Sequence, residues 1–140
     1  MGCSFLVLGK DDFMLLGIGT EIINIDRIRT LIHNPTDSFF RKTYTNTELE
    51  MGFQNSAPEV FLAGRFVAKE AIFKCFRIDG SLIRWNEIEI KSDQWGAPQV
   101  FLTGIMKKRF EELRASDVLV SISFEKDYAL AFAAVVRDNK

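Results

Sequence analysis

Residues 61–74, Phe-Leu-Ala-Gly-Arg-Phe-Val-Ala-Lys-Glu-Ala-Ile-Phe-Lys, constrain this chain more than any other stretch. Apolar side chains cover most of the helical circumference, which predicts a central, largely buried helix over about 59–76. Four charges lie inside the run. Arg65 and Lys69 are four residues apart, as are Glu70 and Lys74, and residues at that spacing share a helix face. A charge taken out of water is costly unless it is paired, metal-bound or presented at a functional surface. Any fold built around this helix must provide for these four groups.

The remaining pattern supplies strands and shorter helices. At 140 residues the chain predicts one domain, 14–140, preceded by an extension over 1–13. Residues 14–25 read as a β-branched, apolar strand. Gly17 and Gly19 fall on one face of it, a signal of close backbone approach or a bulge. Asp26 opens a short helix. Thr45 with Glu48 three residues on is a capping-box signal for a helix to about Gln54. Pro58 suits the first turn of the long helix. Residues 85–91 alternate as a strand, with Ile88 and Ile90 on one face. After a turn at 93–98 the partner strand runs over 99–102. A helix is expected over 105–115, then strands over 118–124 and 128–136 pairing antiparallel across a tight turn at 125–127. Strands and helices mix without regular alternation, so the fold class is α+β.

Composition excludes several functions. The net charge is −1, so no field draws nucleic acid to the whole surface. No apolar run reaches membrane-spanning length. Cys3 and Cys75 have neither metal spacing nor a disulfide framework, which fits a reducing cytoplasm. Cys75 is expected in the core. Met1-Gly2-Cys3 is weak as an acylation signal, because Leu6 stands where Ser or Thr is usual. The single histidine, His33, sits beside Asn34-Pro35 in an expected surface loop, and no Ser-His-Asp set follows from it. Thirteen Phe point either to a Phe-rich core or to burial between subunits. The run Lys107-Lys108-Arg109 is a solvated face or a landing site for an acidic partner.

Two carboxylates break apolar patterns, Glu21 near the first strand and Glu70 in the long helix. Carboxylates from separate elements can share Mg²⁺, which favours oxygen ligands and completes its shell with water and substrate phosphate. Arg65, Lys69 and Lys74 would then suit phosphate. The structural alternative is an ion pair between Glu70 and Lys74 across one turn.

These residues resemble a known family. Residues 17–21, Gly-Ile-Gly-Thr-Glu, are similar to its N-terminal Gly-hydrophobic-Asp motif, and residues 61–74 to its second motif of Lys-Glu followed by Lys. The family is the holo-acyl-carrier-protein synthases, the small class of 4′-phosphopantetheinyl transferases, and the resemblance spans about 14–136. It implies an antiparallel sheet packed on a long central helix. It also implies transfer of 4′-phosphopantetheine from coenzyme A to a serine of apo-acyl carrier protein, with Mg²⁺, release of 3′,5′-ADP, a role in fatty acid synthesis, and a homotrimer with sites between subunits. By the same resemblance Glu21 and Glu70 hold the metal, Glu70 helps deprotonate the serine, and Lys74 holds phosphate charge. Arg65 and Lys69 contact the coenzyme, and Arg27 grips the carrier protein.

Three positions depart from the family pattern. Glu21 stands where Asp is usual, longer by about 1.5 Å. The Ser-Ile-Ser/Thr-His-Thr segment reads Ser121-Ile122-Ser123-Phe124-Glu125, so a polar coenzyme contact is lost and a carboxylate is added. The glycine-rich turn after the long helix reads 77–80, Arg-Ile-Asp-Gly, where Arg77 adds positive charge towards the coenzyme. Phe124 and Glu125 keep a second reading open, an oligomeric binding module that takes coenzyme A poorly.

Overall fold

The structure, a computed structural model, describes residues 13–139. Of the expected extension only Phe13 falls among them, and it opens the first strand opposite Asp138. Cys3 and Leu6 lie outside the described residues.

Strand β1 (Phe13–Asn24) leads into α1 (Asp26–Ile32), α2 (Ser38–Thr43), α3 (Asn46–Gln54) and the long α4 (Pro58–Phe76). Strands β2 (Ile88–Ser92) and β3 (Pro98–Leu102), α5 (Gly104–Glu112), β4 (Asp117–Glu125) and β5 (Tyr128–Asp138) complete the order. β5 is the centre of an antiparallel sheet ordered β1-β5-β4, while β2 and β3 form a separate hairpin. The α+β class and the packing of the sheet on the long helix are as expected.

α4 is central because its sequence leaves it no polar face. Twelve of its 19 residues are buried, among them Leu62, Val67, Ile72 and Phe76. The sheet meets it with small side chains. Ala129, Ala131 and Ala133 of β5 are fully buried, and β1 approaches through glycine. A Cβ on Gly17 would lie 2.1 Å from the Cys75 carbonyl oxygen, and one on Gly19 would lie 1.9 Å from that of Ala71. No other residue allows this contact. β1 is also bulged between Leu15 and Gly17. The glycine pair signals close approach or a bulge, and both occur.

The helix ends follow local chemistry. The Thr45 hydroxyl accepts from the Glu48 N–H while the Glu48 carboxylate accepts from the Thr45 N–H, so the capping box forms. Pro58 occupies the first turn of α4. α2 is too short to show a period in sequence; Asp37 caps it by accepting from the Phe39 N–H at 2.9 Å. Residues 85–87 depart from expectation. They form a 3₁₀ turn and the strand begins at Ile88. The reason is packing: the Trp85 ring stands edge-on to Phe66 and Phe73, at 5.9 and 5.6 Å. Glu87 turns to accept from the Ile105 N–H at the start of α5.

One face of the sheet has no cover within the chain. The registers place Ile18, Ile22, Leu130, Phe132 and Leu119 together on the side away from α4, and each is between 40 and 56 % exposed. No helix among the described residues is long and apolar enough to cross a membrane.

Candidate active site

The charges of α4 separate into three environments. Lys69 is fully buried, and its Nζ lies 2.7 Å from Oε1 of Glu48 on α3. It also donates to the carbonyls of Trp85, at 3.1 Å, and Ile88. Glu48 completes the network by accepting from the Ile90 N–H at 3.1 Å. Burial lowers the Lys69 pKa against the pull of Glu48, and every polar group in the cluster has a partner. This corrects the expectation of a coenzyme contact for Lys69: its ammonium ties α3, α4 and the start of β2 together and has no accessible surface. Sequence reading saw Glu48 only as a cap. The available signal was the demand of a buried lysine for a carboxylate.

Glu70, one residue on, lies on a different face of the helix. The turn of the helix brings it and Lys74 to β1. Lys74 Nζ lies 3.0 Å from Glu21 Oε2 and donates to the Thr20 carbonyl at 3.0 Å. The ion pair expected as the structural alternative therefore forms between Lys74 and Glu21, not between Lys74 and Glu70. Glu21 lies within β1 opposite Ala131, and the glycines before it let that strand reach the helix.

The charges of Glu21 and Glu70 act on one another, and their proton affinities diverge. Burial, and then the Glu21 charge, push the Glu70 pKa up to about 7 against the pull of Arg27 and Lys74. Partial burial also acts upward on Glu21, but its bonds to Lys74 and the Ile22 N–H and the Lys74 charge outweigh it, so its pKa is lowered. Glu70 Oε1 is buried with no hydrogen-bond partner. An ionised and a proton-holding carboxylate side by side, with an ammonium against the first, form a site able to take a cation, a phosphate and a proton.

Arg27, exposed on α1, lies with its guanidinium 5.9 Å from the Phe66 ring centre, beside a shallow groove shared with Leu31 and Phe39. Arg65 is elsewhere. Its Nη2 donates to Ser92 Oγ at 2.9 Å and its guanidinium lies 4.5 Å over the Phe61 ring. It lines a second groove with Gly96, Pro98, Ser121 and Phe124. That groove follows β4, one edge of the sheet, whereas Glu21 is on β1, the other edge. Within one chain the expected coenzyme residue Arg65 and the carboxylate pair are not brought together. Arg77 is exposed at the C-terminal cap of α4 with φ 52°, the left-handed conformation that favours glycine. His33 is exposed at the end of α1, as expected for a loop residue.

A helix and a strand that meet through glycine, with two carboxylates and a lysine where they meet, form the candidate site of this α+β domain. Residues 17–133 match the model of the 4′-phosphopantetheinyl transferase superfamily, and the chain belongs to that family. A holo-acyl-carrier-protein synthase of Shewanella amazonensis is 36 % identical over 120 residues, covering 85 % of this chain and 96 % of that one. The crystal structure of the holo-acyl-carrier-protein synthase of Neisseria meningitidis superposes with a TM-score of 0.77 at 35 % identity, covering 87 % of this chain and 98 % of that one. A Bacillus anthracis synthase solved in complex with CoA superposes with a TM-score of 0.72 at 27 % identity, covering 89 % of this chain and 99 % of that one. The chain is thus an enzyme of the holo-acyl-carrier-protein synthase type.

Proposed function

We propose that this protein transfers 4′-phosphopantetheine from coenzyme A to a serine of apo-acyl carrier protein, in the service of fatty acid synthesis. The observation that carries the reading is the pair Glu21–Glu70 with Lys74 against it and Glu70 Oε1 left without a partner. The serine oxygen attacks the phosphorus bearing the pantetheine arm. A new O–P bond forms, the bond to the bridging pyrophosphate oxygen breaks, and 3′,5′-ADP leaves. The serine proton passes to Glu70, directly or through a water. Glu70 Oε1, buried with no hydrogen-bond partner, is open to accept it. Lys74 holds charge on the phosphoryl oxygens, and such transfer depends on positioning and charge neutralisation more than on covalent help.

The residues fit Mg²⁺. Among the described residues there is no cluster of three or more potential ligands, but this ion is commonly held by one or two carboxylates, with water and substrate phosphate filling the shell. Glu21 and Glu70 would hold it, and when bound it would neutralise charge on the pyrophosphate.

The reading also requires assembly. An exposed apolar face of this kind marks an interaction surface, and Ile18, Ile22, Leu130, Phe132 and Leu119 would be covered in a homotrimer. A second copy would then bring its β4 groove, with Arg65, to the carboxylates on β1. Arg27 beside its apolar groove suits an acidic carrier protein, attracted by charge and seated by Phe39 and Leu31.

The test is direct. Incubated with apo-acyl carrier protein, coenzyme A and Mg²⁺, the protein should add the phosphopantetheine mass to the carrier. Glu70→Gln should lower kcat by about 10²-fold or more. No mass gain with any carrier, or full activity in the variant, would refute the assignment.

A further inference from the structure

We propose that Lys74 makes the binding of coenzyme A and of Mg²⁺ interdependent: it moves from Glu21 to the donor phosphates and so opens that carboxylate to the cation. The inference rests on the transferase reading above and deepens it. Two residues that serve different ligands in that reading are bonded to one another in the structure.

Both oxygens of Glu21 are held by donors of the chain itself. Oε1 accepts from the Ile22 N–H at 3.2 Å, and Oε2 lies 3.0 Å from Lys74 Nζ. The same ammonium donates to the Thr20 carbonyl at 3.0 Å. It has three donors, and β1 takes two of them. A phosphate gripped by Lys74 needs those donors. A cation against Glu21 would stand beside the ammonium, and like charges that close repel strongly. Each ligand therefore meets its residue fully only when the pair opens.

The mobile member is the lysine. Its side chain is half exposed, whereas Glu21 is mostly covered. Four methylenes let Nζ swing about a fixed helical Cα. Glu21 cannot follow it, because β1 is paired with β5 at Ala131 and pressed onto α4 through glycine. Opening the pair costs Lys74 one carboxylate and one carbonyl, which donor phosphates replace, and it costs Glu21 an ammonium, which the cation replaces. Whichever ligand opens the pair first removes that cost for the other. Such coupling is positive and, by linkage, equal in both directions.

Calorimetric titration without a carrier protein reads the coupling with no transfer taking place. Mg²⁺ should bind the unchanged protein about tenfold more tightly when coenzyme A is saturating, and coenzyme A should gain the same factor from Mg²⁺. Lys74→Met should bind Mg²⁺ alone about tenfold more tightly than the unchanged protein does, and coenzyme A should then add no more than about threefold. Arg27→Met separates the bonded contact from the general field. The Arg27 charge also acts on Glu70, but Arg27 makes no bond to Glu21, so this variant should gain no more than about threefold in Mg²⁺ affinity. Coupling below about twofold in the unchanged protein overturns the proposal. So does coupling that persists undiminished in Lys74→Met, which would assign it to phosphate on the metal, and so does an equal gain in Arg27→Met and Lys74→Met. Absence of Mg²⁺ binding under every condition is a different failure: it removes the carboxylate pair as a metal site, and the proposal with it.

Discussion

Two lysine–carboxylate pairs flank α4, and they differ in almost everything but chemistry. Lys69–Glu48 is closed: both side chains are fully buried, and each remaining polar atom meets a backbone partner. Lys74–Glu21 is open: the lysine is half exposed, and the neighbouring Glu70 keeps a buried oxygen without a partner. A buried pair that is fully satisfied can only hold structure, because nothing remains to bind. A pair with an unsatisfied carboxylate beside it retains capacity for a cation, a phosphate or a proton. Five residues along one helix separate Lys69 from Lys74, and the helical turn alone sends them to opposite surroundings.

The contrast is tested first where the effect is largest. Lys69→Met leaves Glu48 buried without its cation and should cost about 3–5 kcal/mol in denaturant unfolding. Activity per folded molecule should survive; a loss of kcat without loss of stability would break the comparison. Gly19→Ala should affect both sides at once. Its Cβ would meet the Ala71 carbonyl, so β1 must move off α4. A loss of about 1–3 kcal/mol is expected from such overpacking, with a fall in transfer activity because Glu21 moves with the strand.

The open pair has a pH signature. Glu70 has a folded pKa of about 7, raised above its unfolded value of 4.5. Between those values the folded protein binds more protons than the unfolded chain, so stability falls as pH rises through that window and is flat above it. After allowance for solvent screening at a partly exposed group, the decline is about 1 kcal/mol. Unfolding measured across pH 4.5–7 without Mg²⁺ should show it, and Glu70→Gln should remove it. A slope that persists in the variant would place the titration elsewhere. The smallest effect belongs to the helix end. Arg77 adopts a left-handed conformation that costs a non-glycine residue about 1 kcal/mol. Arg77→Gly should therefore raise stability by about 0.5 kcal/mol, and weaker coenzyme binding in that variant would support the expected role of its charge.

The amino-acid sequence determined much of this by local physics. Residues 61–74 have no polar face wide enough for solvent, so α4 had to be central. Gly17 and Gly19 announced a strand pressed to a helix, and Thr45 with Glu48 announced a cap. Breaks in apolar patterns singled out Glu21 and Glu70, and the family resemblance grouped Lys74 with them. What sequence spacing left open was the partner of each charge. Glu70 and Lys74 are neighbours on the helix, but Lys74 reaches across to Glu21. Lys69 carries the same charge as Lys74, yet it meets Glu48 from an element 15 residues or more away. Those choices depend on which elements the chain brings against each face of α4, and no local pattern encodes that distance. The separation of the Arg65 groove from the carboxylate pair is likewise a property of strand order, because β5 lies between the two edges. Sequence fixes which groups are costly to bury; tertiary packing decides which of them are satisfied and which remain free for chemistry.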